Sequence, residues 1–187
     1  MLLLIFILFI LFALISLTLV GAFTTILAQE LWYGQKNNAP FVPAPDSIMQ
    51  DLVNNIPVAK DSIVFDLGSG DGKVLRALYD HVGAGTYVGI ERGFIPYMLA
   101  RLKHRNIREI SFKRQDFFDT NLSGATIVTL YLFPELMNTL LPKLKRELKS
   151  GTIVYSIDFK FADLAPTQVY AFDQTRKRGR NLYKYIF

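Results

Sequence analysis

Ile63-Val64-Phe65-Asp66-Leu67-Gly68-Ser69-Gly70-Asp71-Gly72 is the stretch on which the reading of this chain turns. An apolar run of β-branched and aromatic residues ends at Asp66 and Leu67, and three alternate glycines follow. From Lys73 to His81 apolar residues return at helical spacing. Strand, tight loop and helix in this order predict a βα unit. Its loop would lie at the carboxyl end of the strand, where open α/β sheets take nucleotide-like ligands. A lone G-x-G-x-x-G is a weak signal. Here an acid precedes the first glycine and the third follows after one residue, giving D-x-G-x-G-x-G from Asp66 to Gly72. Carboxylates at Asp66 and Asp71 would repel a pyrophosphate and suit a cationic ligand. S-adenosylmethionine carries a sulfonium and an ammonium and no phosphate, so the residues favour it over NAD.

Outward from the loop the pattern alternates. A short helix from Asp46 or Ser47 to about Ile56, capped by one of those side chains, leads into a first strand, Ser62 to Leu67. After the loop helix, stopped by Gly83 and Gly85, the second strand runs from Thr86 to Glu91. A helix from Phe94 to His104 has Ile95, Met98, Leu99 and Leu102 as its apolar stripe, and the third strand is Glu109 to Arg114. The fourth, Ala125 to Leu132, is almost continuously apolar, as a central strand buried on both faces should be. Glu135 to Lys149 is helical, with Pro142 expected to kink it or begin a second helix. Gly151 stops it before a fifth strand, Thr152 to Ile157. Gln168 to Phe172 and Asn181 to Phe187, joined through the basic turn Arg176–Arg180, read as a hairpin. The expected fold is therefore an open, mostly parallel α/β sheet with a C-terminal antiparallel hairpin. Its ligand rim would gather Asp66–Gly72, Glu91, Asp116 and Tyr131–Glu135.

The N-terminal end is different in kind. No charged side chain occurs before Glu30, and a helix of this length exceeds the ~30 Å hydrocarbon core of a bilayer. Trp32 and Tyr33 follow where interfacial aromatics belong. Residues 1–29 read as a transmembrane anchor, 30–45 as a proline-rich linker and 46–187 as the catalytic domain. A cleaved signal peptide is the rival, with Val20-Gly21-Ala22 as its cleavage site, but the basic n-region is missing. The 187 residues carry a net charge of +5 and no cysteine, which removes disulfides, thiolate metal sites and cysteine nucleophiles. His81 and His104 lack metal-ligand spacing and read as surface residues, so no metal site is expected.

Glu91 ends the second strand, where a carboxylate can accept both ribose hydroxyls. Asp116, just past the third strand, can accept an adenine amino group with Phe117 beside the ring. With these in place the chain resembles the class I S-adenosylmethionine-dependent methyltransferases, a Rossmann-like fold. Phe41-Val42-Pro43-Ala44-Pro45, Val128-Thr129-Leu130-Tyr131-Leu132-Phe133-Pro134, and Pro142-Lys143-Leu144 with Glu147 to Thr152 extend the resemblance. They are similar to the small membrane-anchored protein-lysine methyltransferases, whose mitochondrial members act on the ring-forming c protein of ATP synthase and the adenine nucleotide translocase. That family has Thr in a Pro-Thr-Pro position where this chain has Ala44.

The resemblance implies Asp66, Gly68, Ser69, Gly70, Gly72, Glu91, Asp116 and Phe117 as cofactor residues, and a lysine on a membrane-associated protein as acceptor. A lysine with pKa ≈ 10.4 must lose its proton first, which costs about 4–5 kcal/mol near pH 7. Tyr131 and Glu135 are the polar groups placed to receive it, between apolar walls from Phe133 and Pro134. The turn Leu132-Phe133-Pro134-Glu135 lacks the polar residue and second proline with which nucleic-acid amine methyltransferases hold a base, so no nucleic-acid partner is expected. The domain should face the compartment where S-adenosylmethionine is made, the cytoplasm or a mitochondrial matrix. A small or lipid-like acceptor, a non-catalytic cofactor sensor and an NAD oxidoreductase are the alternatives.

Overall fold

The computed structural model describes residues 1–35 and 42–187, with side chains outside 29–41. Trp32, Tyr33 and the linker up to Phe41 therefore lie outside the described side chains. The chain divides into two compact units, 1–40 and 41–187.

The described residues of the first unit form one helix, α1 (Leu2–Gln35). Within it Leu2–Ala28 is, by length and composition, apolar enough to cross a membrane. Its three threonines are satisfied by the helix itself: Thr18, Thr24 and Thr25 donate to the carbonyls of Ile15, Gly21 and Ala22 at 2.8–2.9 Å.

The second unit is a seven-stranded sheet in the order β3-β2-β1-β4-β5-β7-β6. β1 (Ile63–Leu67), β2 (Thr86–Glu91), β3 (Ile110–Arg114), β4 (Ile127–Leu130) and β5 (Ile153–Ile157) are parallel. β6 (Gln168–Ala171) and β7 (Asn181–Ile186) form the antiparallel hairpin, with β7 laid against β5. The helices are α2 (Met49–Asn55), α3 (Lys73–Val82), α4 (Phe94–Lys103) and α5 (Pro134–Glu147). Succession along the sheet reverses between β1 and β4, so the ends of these two strands open the crevice in which such folds bind ligands.

Alternate residues of each strand face opposite layers. Phe65, Leu67, Val88, Ile90, Val128 and Leu130 pack with Met137, Leu140, Leu141 and Leu144 of α5. Val64, Tyr87, Ile127 and Tyr155 pack on the other side with Leu52 and Val53 of α2 and Val74, Leu75 and Leu78 of α3. Ala44 sits in this second cluster beside Ile48.

Four expectations need correction. Asp46 and Ser47 do not cap a helix: a 3-10 turn, Asp46–Ile48, starts without a side-chain cap, and the Asp46 carboxylate accepts from Lys73 at 2.6 Å. β4 is shorter than its apolar run, because Tyr131 and Leu132 already belong to the rim. α5 passes through Pro142 as one helix, so of the two outcomes expected there a second helix does not begin. Finally, α4 turns its expected apolar stripe outward. The buried residues are the small Pro96 and Ala100, while Ile95, Leu99 and Leu102 are exposed. Periodicity identifies residues that share a face; which face the sheet covers is settled by how closely the helix can approach, and small side chains permit the closer approach.

Candidate active site

A single cross-strand row supports the glycine loop. Phe112, Gly89, Asp66, Thr129 and Tyr155 are register partners on five adjacent strands. Gly89 has no side chain, and the space this leaves is filled by the Phe112 ring and by Ser69 Oγ, each of which a Cβ at 89 would strike. Phe112 also lies under Gly72, and His104 packs on it with ring centroids 5.6 Å apart. His104 Nε2–H donates to the Asp71 carbonyl at 3.1 Å. Burial holds this imidazole below its usual pKa, so it stays neutral. His104 is therefore a buried prop beneath the loop and not the surface residue its sequence context implies, whereas His81 is exposed.

Gly68, Gly70 and Gly72 all have positive φ, at 77°, 55° and 81°. The loop amides face inward: Gly68 and Ser69 N–H donate to the Ile90 carbonyl, Gly72 N–H to the Ser69 carbonyl, and Gly70 N–H to Glu91 Oε2 at 2.9 Å. Amides engaged in this way do not form a phosphate cradle. This refines the case against a pyrophosphate, because Asp71 itself is paired with Lys103 at 2.5 Å.

Asp66 is buried, accepts from Thr129 Oγ1 at 2.7 Å, and is pushed up to about 7 by desolvation, with the Glu91 charge adding to the effect. Glu91 is half-buried and also raised by desolvation. Its Oε1 accepts from Gly93 N–H at 2.7 Å, so its two oxygens tie the loop to the end of β2. Each oxygen keeps further lone-pair capacity. Asp116 caps the 3-10 turn Phe117–Asp119 by accepting from Phe118 N–H at 2.9 Å, and its other oxygen meets Arg92 at 3.2 Å. Phe117 is half-buried against Phe118, at 4.8 Å between centroids.

The residues after β4 border this loop: a Cβ on Gly68 would come within 3.1 Å of Leu132 Cδ2. Tyr131 is half-buried and stacks on Phe159 at 6.3 Å, and Phe133 packs on the same ring at 5.7 Å. The Tyr131 phenol is raised by burial first, and then by the facing Asp158 carboxylate, with Arg178 opposing. Glu135 is exposed on the first turn of α5, so the carboxylate that faces Tyr131 is Asp158.

Asp158 is the candidate site residue that sequence reasoning misses. It follows β5 with φ 63°, the one positive φ outside glycine among the described residues. Its carboxylate accepts from Gly179 and Arg180 N–H, at 2.5 and 2.7 Å, and so clamps the hairpin turn against the rim. An acid directly after a strand that ends at the rim is the signal that could find it.

S-adenosylmethionine fits this half of the rim. Ser69 Oγ is buried with no hydrogen-bond partner in the protein, three left-handed glycines shape the loop, and the buried Asp66 and half-buried Glu91 carboxyl groups stand beside it. Among the described residues no cluster of His, Cys, Asp and Glu could hold a metal.

The profile of the ANTKMT methyltransferase domain matches residues 66–168. A protein-lysine N-methyltransferase of Saccharolobus islandicus is 32% identical over 135 residues, covering 71% of this chain and 84% of its own. The human lysine N-methyltransferase named for the c protein of ATP synthase is 29% identical over 154 residues, covering 75% of this chain and 64% of that protein. Among solved structures, an RNA methyltransferase of Salinibacter ruber bound to S-adenosyl-L-homocysteine aligns with TM-score 0.71 and 30% identity, over 78% of this chain and 93% of that one. The chain belongs to the ANTKMT methyltransferase-domain family and is an S-adenosylmethionine-dependent methyltransferase.

Proposed function

We propose that the chain methylates a lysine side chain of a protein at or in a membrane, from a catalytic unit on the cytoplasmic or matrix face, held there by residues 1–29 with 30–45 as tether. The observation that carries this reading is the Tyr131–Asp158 pair, walled by Phe133 and Phe159, beside the glycine loop. A carboxylate behind a phenol among aromatic rings suits a long cationic side chain with an apolar stem. The relatives named for protein-lysine methylation and the apolar helix Leu2–Ala28 point the same way.

In this scheme Glu91 accepts the ribose hydroxyls, and Asp116 accepts the adenine amino group with Phe117 along the ring. Asp66, Ser69 and the loop from Gly68 to Gly72 take the methionine end. When bound, S-adenosylmethionine supplies a methyl group activated by a positively charged sulfur. The chain's own residues prepare the acceptor. Glu135, exposed at the mouth, attracts the ammonium from solvent. Asp158 draws it in, and the Phe133 and Phe159 walls remove water, which favours the neutral amine. Tyr131 Oη, held as a neutral hydroxyl, accepts one amine N–H while donating toward Asp158, and so fixes the direction of the nitrogen lone pair. The proton lost from the ammonium leaves through the Asp158 side.

Incubation of the full chain with membranes and a radioactive methyl donor tests the reading. Label in protein, recovered as methyl-lysine after hydrolysis, is expected. Label in lipid or RNA overturns the acceptor class, and cofactor binding with no label in any fraction overturns catalysis.

A further inference from the structure

The outward stripe of α4 is unexplained by the fold or the site. Ile95, Leu99 and Leu102, spaced i, i+4 and i+7, are 54%, 42% and 57% exposed. They form one continuous apolar line on a surface helix, in a place where a polar face is normal. The surrounding sequence is basic: Arg92, Arg101, Lys103, Arg105 and Arg108 occur between residues 92 and 108, and the first acid is Glu109. Lys103 is paired with Asp71 and Arg92 with Asp116, which leaves Arg101, Arg105 and Arg108, all exposed, to charge the rim of the stripe. Arg101 also lies against Tyr97 of the same helix, which spreads its charge along the surface.

We infer that α4 is a second membrane contact, a helix that lies in the interface of an anionic bilayer with Ile95, Leu99 and Leu102 inserted and the arginines among the headgroups. An apolar line bordered by cations and lacking acids is the chemistry of an interfacial helix. A second copy of this chain is a poor occupant, since an isologous contact would set this basic rim against itself. The inference rests on the membrane reading of Leu2–Ala28, which places a bilayer within reach of the same chain. It gives the catalytic unit its own hold on the surface, so that residues following the end of β2 press toward the lipid while the rim stays open to an acceptor there.

The chain has no cysteine, so single labels can be placed at will. The full chain is reconstituted in vesicles with Leu99→Cys, or with Ser150→Cys as an exposed control at the opposite ends of the strands, each carrying an environment-sensitive fluorophore. In vesicles containing about a third phosphatidylglycerol, the label at 99 should shift to the blue. Brominated acyl chains should quench it several-fold more than the label at 150. Replacing Arg101, Arg105 and Arg108 by Gln, or using phosphatidylcholine alone, should reduce that difference at least threefold. If both labels are equally open to aqueous iodide while the chain still floats with the vesicles, the contact does not exist although the anchor does. If protection at 99 appears in detergent and rises with protein concentration, the stripe is a protein interface and the proposal is overturned. Methyl transfer to membrane protein is scored separately, so failure of either idea leaves the other readable.

Discussion

The two halves of the rim are built by different means. The cofactor half is contiguous in sequence and locked by backbone: left-handed glycines, inward amides, and Glu91 tying the loop to β2. The proposed acceptor half is assembled from the ends of β4 and β5 and the far hairpin turn, and it is made of side chains: Tyr131, Phe133, Phe159 and Asp158. A half held by backbone fits a ligand that never changes. A half held by side chains can be altered to suit a different acceptor without disturbing the first. On the proposed scheme, such a division would let one fold serve acceptors as different as those for which the protein-lysine and RNA methyltransferase relatives are named.

The comparison breaks hardest at Gly72. Its φ of 81° opposes any side chain, and a Cβ there would overlap Phe112 beneath the loop. Strain of about 1–3 kcal/mol adds to overpacking of similar size. Gly72→Ala should therefore weaken S-adenosylmethionine binding by at least about thirtyfold in calorimetry and lower the melting temperature. Gly83→Ala is the control, because Gly83 has φ 70° with nothing within 4 Å of its Cβ position. That variant should lose only about 1 kcal/mol of stability and bind cofactor normally. Equal cofactor loss in both would mean that the loop is sensitive to global stability and not to its own packing.

On the acceptor side the corresponding cut is Asp158→Ala. It removes the charge facing Tyr131 and the acceptor for two turn amides. A loss of about a hundredfold in kcat with cofactor affinity unchanged is expected. Asp158→Asn retains an acceptor for the turn and should keep the melting temperature while losing most of the rate. A fall in cofactor affinity would show that the halves are not separable.

How much of this is legible in the sequence follows from the same division. The βα unit, the succession of strands and helices along the chain and the carboxyl ends of β1, β2 and β3 can be read because the pattern that forms them is local. Asp158 is legible only as an acid directly after a strand that ends at the rim; its hold on the hairpin turn depends on residues more than twenty positions away. His104 looks like a helix-end surface residue because Gly72, Phe112 and His104 meet only after three segments are stacked. The stripe of α4 is visible, but sequence cannot say that Pro96 and Ala100 take the buried side.

A smaller cut sharpens the acceptor half. Tyr131→Phe keeps the stacking on Phe159 and removes one hydroxyl. Loss of a single neutral hydrogen bond is worth about 1 kcal/mol, so kcat should fall roughly five- to tenfold with cofactor binding intact. Unchanged turnover would take Tyr131 out of the site and leave Asp158 to contact the amine alone.

The smallest expected effect tests the cofactor half through a proton. The folded pKa of Asp66 is raised to about 7, so the folded apo state binds this proton more tightly than the unfolded chain. Its contribution to stability is therefore full below the unfolded pKa of 3.8 and declines as pH rises through about 7. A bound sulfonium or ammonium favours the ionised carboxylate and reverses that preference. Binding should then release nearly one proton at pH 6 and about half of one at pH 7. The release is read as a dependence of the binding enthalpy on the ionisation enthalpy of the buffer. Asp66→Asn should weaken affinity, and in the binding that persists the buffer dependence should vanish. If the wild-type enthalpy is the same in every buffer, Asp66 does not change state on binding. The carboxyl group then keeps one charge state throughout, and the cofactor half meets its cation without moving a proton at Asp66.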